Sequence, residues 1–180
     1  MDELTHLLIE ARDGDRDAFA GAVRMAAPAV ERFVRAAVDA ADLDDVVQDT
    51  FVRAWGSLHR FRVESTGMTW LLAIARRAAA DAVRRTVRRR ELQVRVESLR
   101  PGELVTAEDG RADLDDLVAR LGPERREAFV LTQVVGLAYD EAATVCGVPI
   151  GTIRSRVARA RADLAAGYRG LDDGAAAESA

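Results

Sequence analysis

Residues 137–164 carry the pattern that most restricts how this chain can fold. They read LAYDEAATVCGVPIGTIRSRVARARADL, with apolar residues at helical spacing on both sides of Gly147. Gly147 stands where the chain must turn sharply, a position that often needs a positive backbone φ. Ala142 and Ala143 are small, so they permit close approach of the second helix. The pattern predicts a helix-turn-helix.

The second of these helices is predicted to be apolar on one side and purely cationic on the other. Its four arginines are followed by no acid until Asp163. The predicted buried side is Ile150, Ile153, Val157 and Leu164, and the predicted outer side is Arg154, Ser155, Ala158, Arg161 and Ala162, with Arg159 at its margin. Such a face suits DNA, where early residues reach base edges and flanking arginines hold the backbone. The alternative is a solvated, arginine-rich surface helix.

The distribution of charge removes an apparent objection to DNA binding, the net charge of −4. Residues 1–50 hold twelve acids and five arginines, whereas residues 71–100 hold nine arginines and three acids. Residues 101–119 are again acidic, with six acids and one arginine. Two basic patches are therefore separated by acidic segments, and the average charge says little about partners.

The composition also indicates the cellular compartment of the protein and restricts the roles that cysteine can have. The N-terminus lacks a signal-peptide pattern and no apolar run could span a membrane, which predicts a cytoplasmic protein without membrane insertion. A single cysteine, Cys146, excludes an internal disulfide and a Cys-based zinc site. Cys146 is interpreted as a core residue, because its position calls for an apolar side chain, and a redox role is the alternative.

Helical periodicity runs through the whole chain, and no alternating strand pattern interrupts it. The predicted fold is all-α, with two small helical domains joined by a flexible acidic linker and a helix-turn-helix in the second domain. Its predicted parts are a first domain at 1–90, a linker at 91–112, a second domain at 113–168 and a disordered tail at 169–180. Helices are predicted at 3–12, 16–40, 42–58, 69–90, 113–121, 123–135, 139–146 and 150–168.

The helix predicted at 42–58 opens with acidic residues that suit a helix N-terminus, with Asp42 as N-cap. Its predicted buried stripe is Leu43, Val46, Val47, Thr50, Phe51, Ala54 and Leu58. Asp45, Gln48 and Asp49 lie on the opposite, polar face. They could bind a metal, act catalytically, meet a basic partner or be solvated. No His or Cys supports a metal, and no complete catalytic site is visible, so neither an enzyme nor a cofactor is predicted.

The helix predicted at 69–90 has an apolar face followed by an almost entirely basic segment from Arg84. That apolar face is predicted to be Trp70, Leu71, Ile74, Ala75, Ala78 and Val83. Trp70 is interpreted first as a core anchor, with stacking on an unpaired base as the alternative. Arg76, Arg77, Arg84 and Arg88 could contact phosphates, or be solvated and paired with the acidic linker.

Three segments together resemble the bacterial extracytoplasmic-function sigma factors, over about residues 10–168. DLDDVVQDTFVRAW resembles the helix by which this family binds core RNA polymerase. FRVESTGMTWLLAIARRAAADAVRR resembles its promoter-melting segment, and LGPERREAFVLTQVVGLAYDEAATVCGVPIGTIRSRVARARADL its C-terminal helix-turn-helix domain. The resemblance implies promoter DNA and the polymerase core, through its β′ clamp helices and β subunit, as partners.

The resemblance also implies roles for individual residues. Core polymerase would bind Asp45, Gln48 and Asp49. The minus-ten element, with a flipped base, would contact Arg62, Ser65, Thr66, Trp70, Arg76, Arg77 and Arg84. The minus-thirty-five element would contact Thr152, Arg154, Ser155, Ala158 and Arg159. The acidic linker would thread toward the active-site channel of the polymerase. Many relatives are held inactive by an anti-sigma protein, which the linker permits here.

Two positions depart from the pattern of the family. Many relatives carry Asn where this chain has Arg77, and some carry a bulky side chain where it has Ala158. The first difference bears on base preference at minus ten and the second on contacts at minus thirty-five. The alternative function is a helix-turn-helix regulator that binds duplex DNA without acting as a sigma factor. That alternative explains residues 120–168 equally well but leaves the acidic helix and the Trp70 helix without a role.

Overall fold

Helices account for all regular structure in residues 1–97 and 114–178, the part of the chain that a computed structural model describes. This confirms the all-α prediction. The first four helices are α1 (Glu3–Arg12), α2 (Arg16–Arg35), α3 (Leu43–Ser57) and α4 (Gly67–Glu97), and the next four are α5 (Leu114–Arg120), α6 (Pro123–Phe129), α7 (Tyr139–Cys146) and α8 (Ile150–Glu178). Short 3-10 turns at Ala40–Asp42 and Leu58–Arg60 flank α3, and a π-helical turn at Val130–Val134 follows α6.

Helices α1 to α4 pack around one apolar core, to which α3 contributes largely as its periodicity predicts. Val46, Thr50 and Ala54 are buried, and Leu58 is buried just beyond the helix. The remaining members of the predicted stripe, Leu43, Val47 and Phe51, are partly buried against the same core. The opposite face of α3 is therefore left for Asp45 and Gln48, which are exposed.

Two expectations about α4 are corrected. Val83 was expected on the buried face but is 44% exposed, whereas Ala79 and Ala82 are buried. The face buried against α2 and α3 continues from Ala78 in steps of three and four to Ala82, which leaves Val83 outside it. The helix also continues to Glu97, so residues 91–97, expected in the linker, are helical. They contain neither Gly nor Pro to end the helix.

The C-terminal boundary also differs from the expected one. Helix α8 runs to Glu178, so residues 169–178, expected in a disordered tail, are helical. This segment contains no proline to end the helix, and the run Ala175–Ala177 favours a helix, whereas Gly170 and Gly174 disfavour it without ending it. The rest of the predicted linker, residues 98–112, lies outside the described residues, as do the last two residues of the tail.

The start of α4 is fixed by α1 through a buried polar contact. The Gly67 amide donates to Thr5 Oγ1 at 2.8 Å, and Thr5 Oγ1 donates to Asp2 Oδ2 at 2.6 Å. A Cβ atom on Gly67 would lie 2.8 Å from a Leu8 methyl and 3.2 Å from the Thr5 Cα, so the site fits glycine alone without movement. This contact sets the position of the preceding loop, which carries Ser65 and Thr66.

The two helical domains pack against each other. Helix α4 of the first domain lies against α7 of the second, and α2 lies against the π-helical turn. Buried apolar side chains of both domains, among them Leu72 and Leu131, belong to one continuous cluster. The surfaces predicted to bind nucleic acid must therefore be considered in this packed arrangement.

Candidate nucleic-acid interface

The helix-turn-helix forms as the sequence predicts. Gly147 ends α7 with a φ of +67°, in the left-handed region where glycine carries no Cβ penalty. Ala142 and Ala143 are buried at the contact between the helices. Ile153 and Val157 are buried on the inner side of α8.

Two residues of the predicted inner side are not fully buried. Ile150 is 37% exposed and Leu164 is partly buried, whereas Ala160 is fully buried in their place. Ile150 is the first residue of α8 and stands ahead of the turn that packs on α7. The inner side is therefore centred on Ile153, Val157 and Ala160, at helical steps of four and three.

The outer side of α8 presents the predicted contact residues to solvent. Arg154, Ser155, Ala158 and Arg159 are exposed, and Thr152 is partly buried. Two further arginines of the helix are held within the domain: Arg156 pairs with Glu124 at 2.6 Å, and Arg161 Nη2 donates to Gln133 Oε1 at 2.6 Å. Among the side chains that the structure describes, no acid pairs with Arg154 or Arg159. These two arginines are therefore available for a ligand.

Cys146 is buried at the end of α7, which confirms its assignment to the core. Burial raises the pKa of its thiol to about 12, and the neighbouring Glu127 carboxylate acts in the same direction. The reactive thiolate is consequently scarce at neutral pH.

We expect the folded protein to resist thiol reagents. From an ordinary pKa of 9.0 to about 12, the thiolate population at pH 8 falls roughly a thousandfold. Reaction with 5,5′-dithiobis(2-nitrobenzoic acid) should therefore be slow in buffer and fast in urea, measured by absorbance. Fast reaction of the native protein would contradict the burial of Cys146.

The second predicted nucleic-acid surface lies at the start and along one side of α4. Arg62, Thr66, Arg77 and Arg84 are exposed, and Ser65, Trp70 and Arg76 are partly buried. Trp70 packs on the Phe61 ring, with centroids 5.0 Å apart and an interplanar angle of 45°. It is thus anchored to the core as first interpreted, while part of its ring remains accessible.

Carboxylates of the second domain contact two members of this surface. Glu141 Oε1 accepts hydrogen bonds from Thr66 Oγ1 at 2.9 Å and from Thr69 Oγ1 at 3.2 Å. Glu127 Oε1 lies 2.6 Å from Arg76 Nε. The ion pair with Glu127 also outweighs burial and raises the pKa of Arg76. Sequence reasoning missed both acids, because no local pattern joins them to residues so distant in the chain.

The acidic face of α3 is linked to α4 by ion pairs. Asp49, partly buried, is held by Arg53 at 2.7 Å, and Arg53 also reaches Asp81 of α4 at 2.6 Å. Asp81 in turn binds Arg84 at 2.5 Å. Hydrogen bonds from Arg53 and Arg84 lower the pKa of Asp81. The sequence offered two signals of this network of ion pairs, the four-residue spacing of Asp49 and Arg53 on α3 and the three-residue spacing of Asp81 and Arg84 on α4.

A further acid, Asp42, does not act as predicted. Its side chain makes no cap hydrogen bond to α3 and instead accepts from Thr86 Oγ1 at 3.0 Å. Arg90 is likewise bound by Asp39 at 2.9 Å. Asp39 and Asp42, which precede α3, therefore contact the basic half of α4. From the sequence, the acidic linker was the expected partner of the arginines of α4, as the alternative to phosphate.

The described residues contain no group of His, Cys, Asp and Glu side chains that could hold a metal ion. None of the helices in this part of the chain combines the length and the apolar character needed to cross a membrane. The surfaces that remain for a ligand are the outer side of α8, the acidic face of α3 and the Thr66–Arg84 side of α4.

Comparison with known proteins gives consistent matches. Residues 22–89 match the family described as Sigma-70 region 2, and residues 111–164 match Sigma-70, region 4. Over 169 residues the chain is 43% identical to the ECF RNA polymerase sigma factor SigC of Mycobacterium tuberculosis, which covers 91% of this chain and 90% of that protein. The RNA polymerase sigma factor CnrH of Cupriavidus metallidurans is 33% identical, over 89% of this chain and 91% of its own length.

Solved structures resemble the whole fold. CnrH in complex with the cytosolic domain of CnrY matches with a TM-score of 0.72 and 30% identity, over 94% of this chain and 99% of that chain. The sigma factor RpoE of Bartonella quintana, in complex with the anti-sigma factor NepR, matches with a TM-score of 0.64 and 29% identity, over 81% of this chain and 93% of that chain.

Proposed function

Because the chain belongs to the extracytoplasmic-function (ECF) sigma factors, we propose how its surfaces divide the work of promoter recognition. As a member of this family it is an RNA polymerase sigma factor, which binds core polymerase and promoter DNA and promotes strand opening. One observation supports this assignment of surfaces: the described residues present three separate charged surfaces. Along the chain these follow the order of the core-binding, minus-ten and minus-thirty-five segments of the family. We place its action in the cytoplasm, with the polymerase.

The acidic face of α3 is the proposed contact with core polymerase. Asp45 and Gln48 are exposed on one side of the helix, and Asp49 lies beside them. The carboxylates of Asp45 and Asp49 suit the basic faces of the β′ clamp helices, and the Gln48 amide can add a hydrogen bond. The β subunit is the second proposed contact of the bound protein. Arg53 positions Asp49 by a two-point contact, through Nε at 3.0 Å and Nη2 at 2.7 Å.

The loop before α4 and one side of α4 are the proposed minus-ten surface. Arg62, Ser65 and Thr66 come from the loop, and the accessible part of the Trp70 ring lies beside them. Aromatic rings stack on unpaired bases, and arginines such as Arg77 and Arg84 hold the phosphates. Unstacking costs a few kcal/mol per base step, which these contacts and the bound polymerase have to supply.

The outer side of α8 is the proposed minus-thirty-five surface, with Arg154, Ser155 and Arg159 as its polar contacts. Thr152 supports it from the first turn of α8, and Ala158 gives it a flat centre. Arg154 and Arg159 are the favoured base-reading or phosphate-holding groups, because Arg156 and Arg161 are engaged within the domain.

Substitution of Arg154 by Ala is expected to weaken binding to the preferred duplex by about 1–3 kcal/mol if its guanidinium makes a bidentate base contact. Selection from a random duplex pool with the holoenzyme would identify that duplex, and competition assays would measure the loss. Arg161→Ala removes an equal charge whose guanidinium is bound to Gln133, and serves as the matched control. An equal loss on all duplexes would show that Arg154 holds only phosphate.

The proposed role is tested by mixing the protein with purified core polymerase and genomic promoter fragments. The expected result is co-elution with core and initiation at promoters that core alone does not use. Failure of both would refute the proposal and favour a helix-turn-helix regulator that binds duplex DNA without polymerase. The acidic face of α3 has no role in such a regulator, which is why we favour the sigma factor.

An anti-sigma factor is a further proposed partner. CnrH and RpoE, which this chain resembles over most of its length, were solved in complex with CnrY and with the anti-sigma factor NepR. A protein of that kind would be expected to compete with core polymerase for this chain. Co-purification of the tagged protein from its own cells, followed by competition with core, is the test.

A further inference from the structure

We propose that helix α1 holds the loop at residues 62–66 in a strained shape that is ready to capture an unpaired base. The inference rests on the proposed function, in which this loop belongs to the minus-ten surface. It goes beyond that function by naming two residues that position the loop, Thr5 and Arg12. Neither belongs to a surface assigned to polymerase or to DNA. Both are positioning residues, because they act on the DNA through the loop.

The end of the loop that leads into α4 is bound to the first turn of α1. The Gly67 amide donates to Thr5 Oγ1 at 2.8 Å, and this hydroxyl donates in turn to Asp2 Oδ2 at 2.6 Å. The other oxygen of Asp2 accepts from the Thr5 amide at 2.9 Å. Because Thr5 is only 2% exposed, water does not compete for this contact. It forms the first of two anchors of the loop.

The other end of the loop is bound to Arg12, the last residue of α1. Arg12 Nη1 donates to the Phe61 carbonyl oxygen at 3.1 Å, and Arg12 Nε lies 3.2 Å from Asp13 Oδ1. This is the second anchor. Thr5 and Arg12 are separated by two turns of the helix, which places them on the same side of α1. One side of a single helix therefore holds both ends of the loop.

Between the anchors, Val63 has a backbone conformation that its side chain disfavours. Its φ is +60°, and no other residue except glycine has a positive φ in the part of the chain that the structure describes. A β-branched side chain makes this left-handed conformation costly. Burial does not offset the cost, since Val63 is 39% exposed. We attribute the conformation to the two anchors, which limit the path of the residues between them.

The strained segment carries the loop residues that are proposed to meet the minus-ten element. Arg62 directly precedes Val63, and Ser65 and Thr66 follow it. The direction of a chain depends on its φ and ψ angles alone, because the peptide units are rigid. Relaxation of Val63 to a negative φ would therefore move these polar side chains relative to one another. The anchors prevent that movement.

The Arg12 anchor also bears on Trp70, through Phe61. Phe61 is 2% exposed, and its ring lies against that of Trp70 with centroids 5.0 Å apart. The residue whose carbonyl oxygen Arg12 binds thus supports the ring that is proposed to stack on an unpaired base. A site whose parts are already in place loses little freedom on binding, and its fixed geometry favours one base over the others.

The test compares substitutions at three positions, none of which is buried. Arg12→Ala removes the anchor at Phe61, whereas Arg12→Lys keeps the charge and one donor. Arg16→Ala removes an equal charge at the start of α2, from a side chain that makes no hydrogen bond to the loop among the described residues. Val63→Pro forbids a positive φ and Val63→Gly permits it. The proline removes no hydrogen bond to any described residue, because the Val63 amide makes none.

The first readout is base discrimination by the holoenzyme, formed from the full chain and core polymerase. Promoters at which the holoenzyme initiates are remade with each base in turn at every minus-ten position. The rate of strand opening is followed by the fluorescence of 2-aminopurine placed within the opened segment. The ratio of rates between the preferred base and the others does not depend on the fraction of active protein. A loss of folded protein alone would therefore leave this ratio unchanged.

The second readout is hydrogen exchange of the loop amides in the free protein, measured by mass spectrometry. It needs neither polymerase nor DNA. Arg12→Ala should speed this exchange, because the loop loses one of its two anchors. Arg16→Ala should leave it unchanged.

Arg12→Ala should lower the discrimination ratio about tenfold, the scale of one lost hydrogen bond to a charged group. Val63→Pro should lower it at least as much. The ratios of Arg12→Lys, Arg16→Ala and Val63→Gly should stay within about threefold of wild type, as for ordinary surface substitutions.

A wild-type ratio in Arg12→Ala, or an equal fall in Arg16→Ala, would overturn the proposal. Equal falls in Val63→Gly and Val63→Pro would also overturn it, because the Val63 side chain and not its backbone would then be the group that matters. Failure of the wild-type protein to initiate with core would refute the sigma role instead. Hydrogen exchange would in that case still decide whether Arg12 holds the loop, since faster exchange in Arg12→Ala supports the anchor and unchanged exchange contradicts it.

Discussion

Asp45→Arg is expected to lower the affinity for core polymerase by at least about thirtyfold, the effect of losing a charge pair at an interface. Asp45 is exposed and makes no ion pair among the described side chains, so reversing its charge should leave the fold intact. A new arginine there would also face the basic clamp helices and repel them. Binding of labelled protein to core, measured by anisotropy, gives the affinity directly.

The control for this prediction is Asp44→Arg. Asp44 is also an exposed acid in the first turn of α3 but points about 100° away from Asp45 around the helix. Its reversal should change the affinity for core by less than about threefold. Asp49 is a poorer choice, because its reversal would also disrupt the pair with Arg53. If Asp44→Arg and Asp45→Arg lowered the affinity for core polymerase equally, the proposed contact through the Asp45 side of α3 would be contradicted.

Ile153→Ala is expected to destabilise the second domain by about 2–5 kcal/mol, the usual cost of truncating a large buried side chain. Ile153 is 0% exposed, on the inner side of α8. Its loss would leave a cavity beneath the outer side of α8 and abolish duplex binding at physiological temperature. Urea denaturation followed by circular dichroism measures the free energy of unfolding.

Ile150→Ala supplies the comparison, since the same truncation is made three residues earlier at a side chain that is 37% exposed. We expect it to cost less than about 1 kcal/mol. Equal destabilisation by the two substitutions would mean that the inner side of α8 begins at Ile150, as the sequence pattern alone suggested.

The differences between the predicted and the observed helices have local causes. Periodicity placed α3 and the helix-turn-helix correctly, because long runs of apolar residues at steps of three and four have few alternative folds. It misplaced Val83 and Ile150, because a residue near the edge of an apolar stripe is buried only if a neighbouring element covers it. The ends of α4 and α8 were set too early, since neither continuation contains a proline to stop it.

The proposed binding sites divide in the same way. The sequence supplied the residues of the core-binding and minus-thirty-five surfaces, because exposed charge on one helix face is a local property. It did not supply Glu141 and Glu127, which reach Thr66 and Arg76 from 75 and 51 positions along the chain. Only the packing of the first domain against the second, with Glu141 reaching it from α7 and Glu127 from α6, brings them together.

The sequence by itself determined that the chain is helical, that it ends in a helix-turn-helix and that its charges form separate acidic and basic faces. These properties follow from spacing and composition within single helices. The tertiary structure decided which charges are bound: Arg156 is held by Glu124 and Arg76 by Glu127, whereas Arg154 pairs with no acid among the side chains that the structure describes. Ion pairs depend on distances of a few ångströms between side chains, and only the packing of helices distant in sequence fixes those distances.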